Sequence, residues 1–270
     1  MTVSIDVTES NQPATPGARK VVCWSREKAL RTDFEQAPPE QPVLLKGYAS
    51  HWPIVDAARR SPEAVARYLL PFDAGKPLEA MIADPREQGR LFYSQDLSGF
   101  NFTRMKGYLP DALSILASQS GKARPAAFYV GSTSIPEYLP GLEAVCRLPG
   151  ISPDVIPNLW MGNSTRVATH NDAPENIACV AAGRRRFTLF PPDQEENLYI
   201  ADTPHTPGGR PISLVDLRAP DLDRFPRFTR ALETAQVADL EPGDALYLPR
   251  HWWHNVEAFG PLNILINFWW

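Results

Sequence analysis

Residues 158–190 read NLWMGNSTRVATHNDAPENIACVAAGRRRFTLF. This stretch breaks into four short apolar or alternating runs, LWMG, VATH, NIACVA and RFTLF. The pieces between them, GNS and AGR above all, are turn vocabulary. Working outward, the same grammar continues downstream in DALYLP (244–249), HNVEAF (254–259) and LNILINFWW (262–270), punctuated by PPDQ, EPGD and FGP. Strands this short and this closely spaced predict an antiparallel barrel or sandwich, with jelly rolls and cupins among its forms. The expected fold class is therefore mainly β with α: a double-stranded β-helix core over 126–270 with a helical N-terminal portion.

Between Asp193 and Val237 lies a polar, proline-rich excursion (193–237), too long for a bland connection in a compact domain. Such insertions serve as lids or substrate-binding elements. Upstream, PVLLKGY ends at Gly47 and predicts a strand. SPEAVARYLL (61–70) carries a serine cap, a first-turn proline and helical spacing of Ala, Val and Leu. DALSILASQSG (111–121) reads as a second helix, with Asp111 as cap and Gly121 as stop. Residues 1–20 are polar and read as a flexible lead-in. The organisation expected is one domain over 21–270, with a helix-and-strand part over 21–125 packed on the core.

Composition bounds the partners. The 270 residues are 43% hydrophobic and 21% charged, ordinary for a globular chain, and the 28 prolines are spread along it. A net charge of −4 offers no electrostatic footprint for nucleic acid or an anionic membrane, which disfavours both as partners. Cys23, Cys146 and Cys179 form no CxxC pair and read as reduced thiols. No run reaches the ~18 apolar residues of a membrane span, and the N-terminus lacks the order of a signal peptide. The expected location is cytoplasmic.

Five histidines are present: His51, His170, His205, His251 and His254. The sharpest local pattern is His170-Asn171-Asp172, where VATH runs into a turn. Side chains two apart on an extended chain point the same way, so an imidazole and a carboxylate can face one point inside a barrel. These are two thirds of the facial triad of non-haem iron(II) oxygenases. The segment PGDALYLPRHWWHNVEAF (242–259) offers a third ligand. In an extended segment His251 and His254 face opposite sides, so only one of them points inward. Three protein ligands leave room on an octahedral metal for a bidentate cosubstrate and dioxygen. His51 and His205 read as hydrogen-bonded core histidines, and Trp252, Trp253, Trp269 and Trp270 as core aromatics. Two readings from other classes compete: a zinc hydrolase using the same three ligands, and a cupin-like binding protein without catalysis.

The stretch from NLWMG to QEENLY (158–199), followed by DLDRFPRF, PGDALYLPRHWWHNVE and NILINFWW, resembles the JmjC hydroxylase family. More closely, it resembles the cupin-like group that contains the asparaginyl hydroxylase factor inhibiting HIF. QPVLLKGYASHWPIVDAARRSPEAVARYL matches the way these proteins begin, so the resemblance covers about residues 40–270. It implies a dioxygenase that uses Fe(2+) and 2-oxoglutarate to hydroxylate a C–H bond, with His170, Asp172 and His254 as metal ligands. It places the cosubstrate carboxylate at Arg185, where the family carries lysine, with Arg184 and Arg186 beside it. Arginine can hold a carboxylate bidentately but is not interchangeable with an ammonium. Asn176, Asn267 and Tyr129 match positions that line the cosubstrate pocket. The family's hydroxyl residue three before the first histidine is Val167 here, with Thr165 and Thr169 as the nearest substitutes. The resemblance implies a protein or peptide substrate modified on an amino-acid side chain, with a small molecule or a tRNA base as alternatives. Relatives that dimerise through C-terminal helices continue past the position of Trp270, so a monomer, or a dimer through another surface, is expected.

Overall fold

The computed structural model describes residues 17–203 and 206–270. Six strands form the core: β1 Pro157–Gly162, β2 Arg166–His170, β3 Asn176–Phe190, β4 Gln236–Leu240, β5 Ala245–Leu248 and β6 Trp253–Trp269. The two long strands run antiparallel along their whole length and bend together, so each serves two sheets. Their outer halves (176–182 of β3, 262–269 of β6) join β5 and β1 in the order β5-β3-β6-β1. Their inner halves join β4 and β2 in the order β4-β3-β6-β2. Two four-stranded antiparallel sheets sharing two bent strands are the expected jelly roll.

The bend has a local cause. The β3–β6 register slips between Val180 and Ala182 and again between Ala182 and Arg184, which sharpens the twist and reverses which residues face inward. Gly183 sits at the slip with φ +74°, and a Cβ there would lie 2.2 Å from Asn263 Oδ1. Only glycine meets both demands.

The run NIACVAA is apolar on both faces because both faces are covered. Ile177, Cys179 and Ala181 pack outward with Ile264, Ile266 and Phe268 against Ile54, Val55, Val65 and Leu69 of helices Pro53–Arg60 and Pro62–Leu69. Ala178 and Val180 pack inward with Leu246, Leu248, Val256 and Leu265. Ser61 caps the second of these helices through Ala64 N–H, in line with the sequence reading. The helix expected from Asp111 runs Leu109–Gln119 instead. Tyr108 occupies the N-cap position, and Asp111 accepts from the Tyr108 N–H, so its carboxylate caps from the third helical position.

The region before residue 125 holds more strand than its sequence suggested. Leu78–Ala83 and Phe102–Gly107, with Ala127–Ser134, extend the larger sheet beyond β1. Val22–Trp24 and Val43–Leu45 extend it beyond β5. Of the lead-in expected over 1–20, residues 1–16 lie outside the described residues. Arg19–Lys20 pair in parallel with Gln236–Val237, because β4 is an edge that accepts another strand. That same strand ends the 193–237 excursion at residue 235. The excursion is anchored by a small core of Leu198, Val215, Phe225, Phe228 and Ala231 against Phe190 and Trp253.

Candidate metal centre and cosubstrate cavity

His170 is the last residue of β2, and its Cα pairs with that of His254 on β6. The two imidazole centroids are 4.2 Å apart. His170 Nδ1 lies 2.9 Å from the Ala168 carbonyl, and His254 Nδ1 lies 3.0 Å from the Trp252 carbonyl. A carbonyl oxygen only accepts, so each Nδ1 carries the proton and each Nε2 presents its lone pair to the same point. Asp172 Oδ2 lies 3.7 Å from His254 Nε2, and one ligand atom from each of the three residues falls within 4.8 Å of the others. Burial, then the neighbouring His254, push the His170 pKa down to about 4, which keeps the ring neutral near pH 7. Two imidazoles and a carboxylate held this way suit a divalent cation of iron or zinc type.

His251, the alternative third ligand, is exposed in a turn with φ +67° and does not join the cluster. His51 is exposed, with Nε2 3.2 Å from the Arg147 carbonyl, so it is hydrogen-bonded but not a core residue. His205 lies outside the described residues.

The three ligands open into one cavity of about 120 Å³. Arg185, Asn176, Asn267 and Tyr129 all line it, beside the three candidate ligands, whereas Arg184 and Arg186 do not. Arg185 and Asn176 are nine apart on β3 and would face opposite ways in a regular strand; the slip at Gly183 turns both inward. Arg185 is 3% exposed, yet among the described residues its Nε and Nη2 have no hydrogen-bond partner. Among the described residues no carboxylate pairs with it. Burial lowers its pKa, opposed by the neighbouring Tyr129 hydroxyl. A buried guanidinium with free N–H groups is costly unless an anion completes it, so these residues fit a carboxylate-bearing cosubstrate.

Asn267 and Asn176 are tied to one another (3.2 Å), and Trp160 Nε1 donates to Asn267 Oδ1 at 2.7 Å. Val167 lines the cavity, whereas Thr165 and Thr169 are buried elsewhere and do not replace the missing hydroxyl. Trp252 and Trp253 are core aromatics, as expected. Trp269 is not: it lines the cavity, and its Nε1 has no partner. Strand alternation from Asn267 would have identified it. Arg210, from the insertion, lines the mouth and donates to both the carbonyl and Oδ1 of Asn171 (3.0 and 2.6 Å). No sequence signal marks it.

A jelly roll with a His-Asp-His centre beside an anion-seeking pocket defines the cupin-type oxygenase scaffold. The chain belongs to the cupin-like domain family, which matches residues 30–270, and its homologues are JmjC proteins. Members of the JmjC family are iron(II)- and 2-oxoglutarate-dependent oxygenases. The chain is 28% identical over 240 residues to lysine-specific demethylase 8 of Xenopus tropicalis, covering 86% of this chain and 48% of that protein. It is 35% identical over 114 residues to lysine-specific demethylase JMJ31 of Arabidopsis thaliana, covering 42% of this chain and 20% of that protein. Human HSPB1-associated protein 1 is 37% identical over 113 residues, covering 41% of this chain and 22% of that protein. The chain thus spans half or less of the length of these relatives. Among the described residues no helix is long and apolar enough to cross a membrane.

Proposed function

We propose that the protein is an iron(II)- and 2-oxoglutarate-dependent dioxygenase that hydroxylates a C–H bond on an amino-acid side chain of a protein or peptide. The observation that carries this reading is the buried Arg185, with two unpartnered guanidinium nitrogens, in the cavity that also holds the three ligands. A dicarboxylate cosubstrate would complete that cation, whereas hydrolysis at a zinc site requires only the ligands and a bound water.

When bound, iron and 2-oxoglutarate supply dioxygen activation coupled to decarboxylation, giving succinate. The chain's own residues bind and orient. His170, Asp172 and His254 would hold the metal, and their backbone-fixed Nδ1 protons keep both rings aimed. Arg185, with Tyr129, would hold the distal carboxylate by paired charge-assisted bonds. Asn176 and Asn267 would line the metal-proximal part, and Ala178, Phe187, Val256 and Leu265 keep water from the rest.

The named relatives make a methylated lysine the competing substrate. Arg210 in the lining, where Asp172 is the one carboxylate among the described residues, favours a neutral or acidic side chain over a cationic one. The three cysteines are unpaired, in keeping with a cytoplasmic setting.

The test is succinate formation from 2-oxoglutarate with iron(II) and ascorbate, for wild type and His170→Ala. Substrate-independent turnover that disappears in the variant is the expected result. If turnover is absent and the metal-loaded wild type binds no 2-oxoglutarate, the reading is wrong and a non-catalytic binder takes its place.

A further inference from the structure

Glu175 is a buried carboxylate three residues beyond Asp172, 7% exposed and outside the cavity lining. The ligand set does not use it. Its Oε2 accepts from the Tyr247 hydroxyl at 2.5 Å and from the Arg250 N–H at 3.3 Å, and its Oε1 accepts from Arg250 Nε at 2.9 Å. Its main-chain N–H donates to the Trp270 carbonyl, and its own carbonyl accepts from the Trp270 N–H. One residue thus joins the start of β3, the end of β5, the turn before β6 and the residue after β6.

The turn it grips is the one that matters to the metal. Residues 249–252 reverse the chain with His251 in the left-handed region at φ +67°, a conformation bulky residues adopt only where surroundings enforce it. In that conformation the His251 N–H donates to the Asp172 carbonyl at 2.9 Å. The backbone of one ligand therefore hangs on the turn that delivers another, three residues later. Arg250 is 60% exposed in its side chain, so its pairing with Glu175 serves the turn and not the core.

We propose that Glu175 is a positioning residue of the metal centre: acting through Arg250, it holds the 249–252 turn so that Asp172 and His254 stand ready for the cation. The inference rests on the metal-centre reading above. A carboxylate suits the task because it accepts from a guanidinium, an amide and a hydroxyl together. Outer partners of this kind govern metal affinity by orienting ligands before the ion arrives.

The experiment is a Co(II) titration of the apo protein by visible absorption, beside thermal unfolding of the same apo samples. Arg250→Ala is expected to weaken Co(II) binding about 10-fold while leaving the apo Tm near wild type, because the lost side chain is exposed. Glu175→Ala weakens it about 10- to 100-fold and shifts the Co(II) absorption band. Glu175→Gln, which keeps the length and one acceptor oxygen, recovers most of the loss. Co(II) binding within about twofold of wild type in both alanine variants, at a temperature where all are folded, overturns the proposal, whatever happens to Tm. Wild type that binds no Co(II), or His170→Ala that binds it equally well, overturns the metal-centre reading and this inference with it.

Discussion

The two ends of the cavity follow opposite rules. At the candidate metal end each imidazole is fixed by a carbonyl two residues before it, and the Asp172 main chain hangs on the His251 N–H. At the far end, buried donors are left open on Arg185 and Trp269. The first is a set of side chains oriented in advance. The second is an electrostatic deficit that costs stability until an anion fills it. The difference teaches that geometry picks out the candidate metal site, whereas incompleteness picks out the candidate anion pocket beside it.

The sharpest way to break this comparison is to remove a ligand. His170→Ala should lose more than about 100-fold in metal affinity, beyond the range of outer-shell changes, with turnover lost too. Calorimetric titration with Co(II) checks it. At the other end Arg185→Met should weaken 2-oxoglutarate binding by about 1.5–3 kcal/mol, the worth of a hydrogen bond to a charged group. The same variant should raise the apo Tm by about 2–4 °C, since it removes an unpaired buried charge. A lower apo Tm would mean that the guanidinium is satisfied without ligand. Trp269→Phe removes one free donor and should cost about 0.5–1.5 kcal/mol of 2-oxoglutarate binding; calorimetric titration of the metal-loaded protein with 2-oxoglutarate reads both this variant and Arg185→Met.

The smallest effect concerns pH. Burial, then the neighbouring His254, push the pKa of the folded His170 down to about 4, from about 6.5 in the unfolded chain. Between those values the unfolded chain binds more protons, so apo stability should fall as pH drops through that window. His170→Ala should flatten that limb of the Tm–pH curve.

The ligands were legible because their types are rare and their spacing is short. His170 and Asp172 sit two apart on an extended segment; alternation left the choice between His251 and His254 open, and the resemblance, through the position directly after the tryptophan pair, pointed to His254. The jelly roll was legible from turn residues between short apolar runs. Alternation could not show that Arg185 and Asn176 share a face, because the slip at Gly183 reverses the phase between them. The strands Leu78–Ala83 and Phe102–Gly107 were hidden for another reason. The second is exposed along most of its length, so no apolar period marks it. Arg210 was invisible because its role depends on where a long insertion lands.

Strand β6 comes last of the six core strands yet lies inside both sheets, between β3 and β1 in one and between β3 and β2 in the other. Its partners include residues as remote as Asn176, paired with Trp269. In time rather than space, neither sheet can close and no metal can be held until this strand has threaded into place. Pairings so distant along the chain form slowly, on the order of milliseconds to seconds. Until then the apolar edges of β1 and β3 stay open to other chains. The newborn protein's period of greatest aggregation risk is therefore set by the same strand that carries His254.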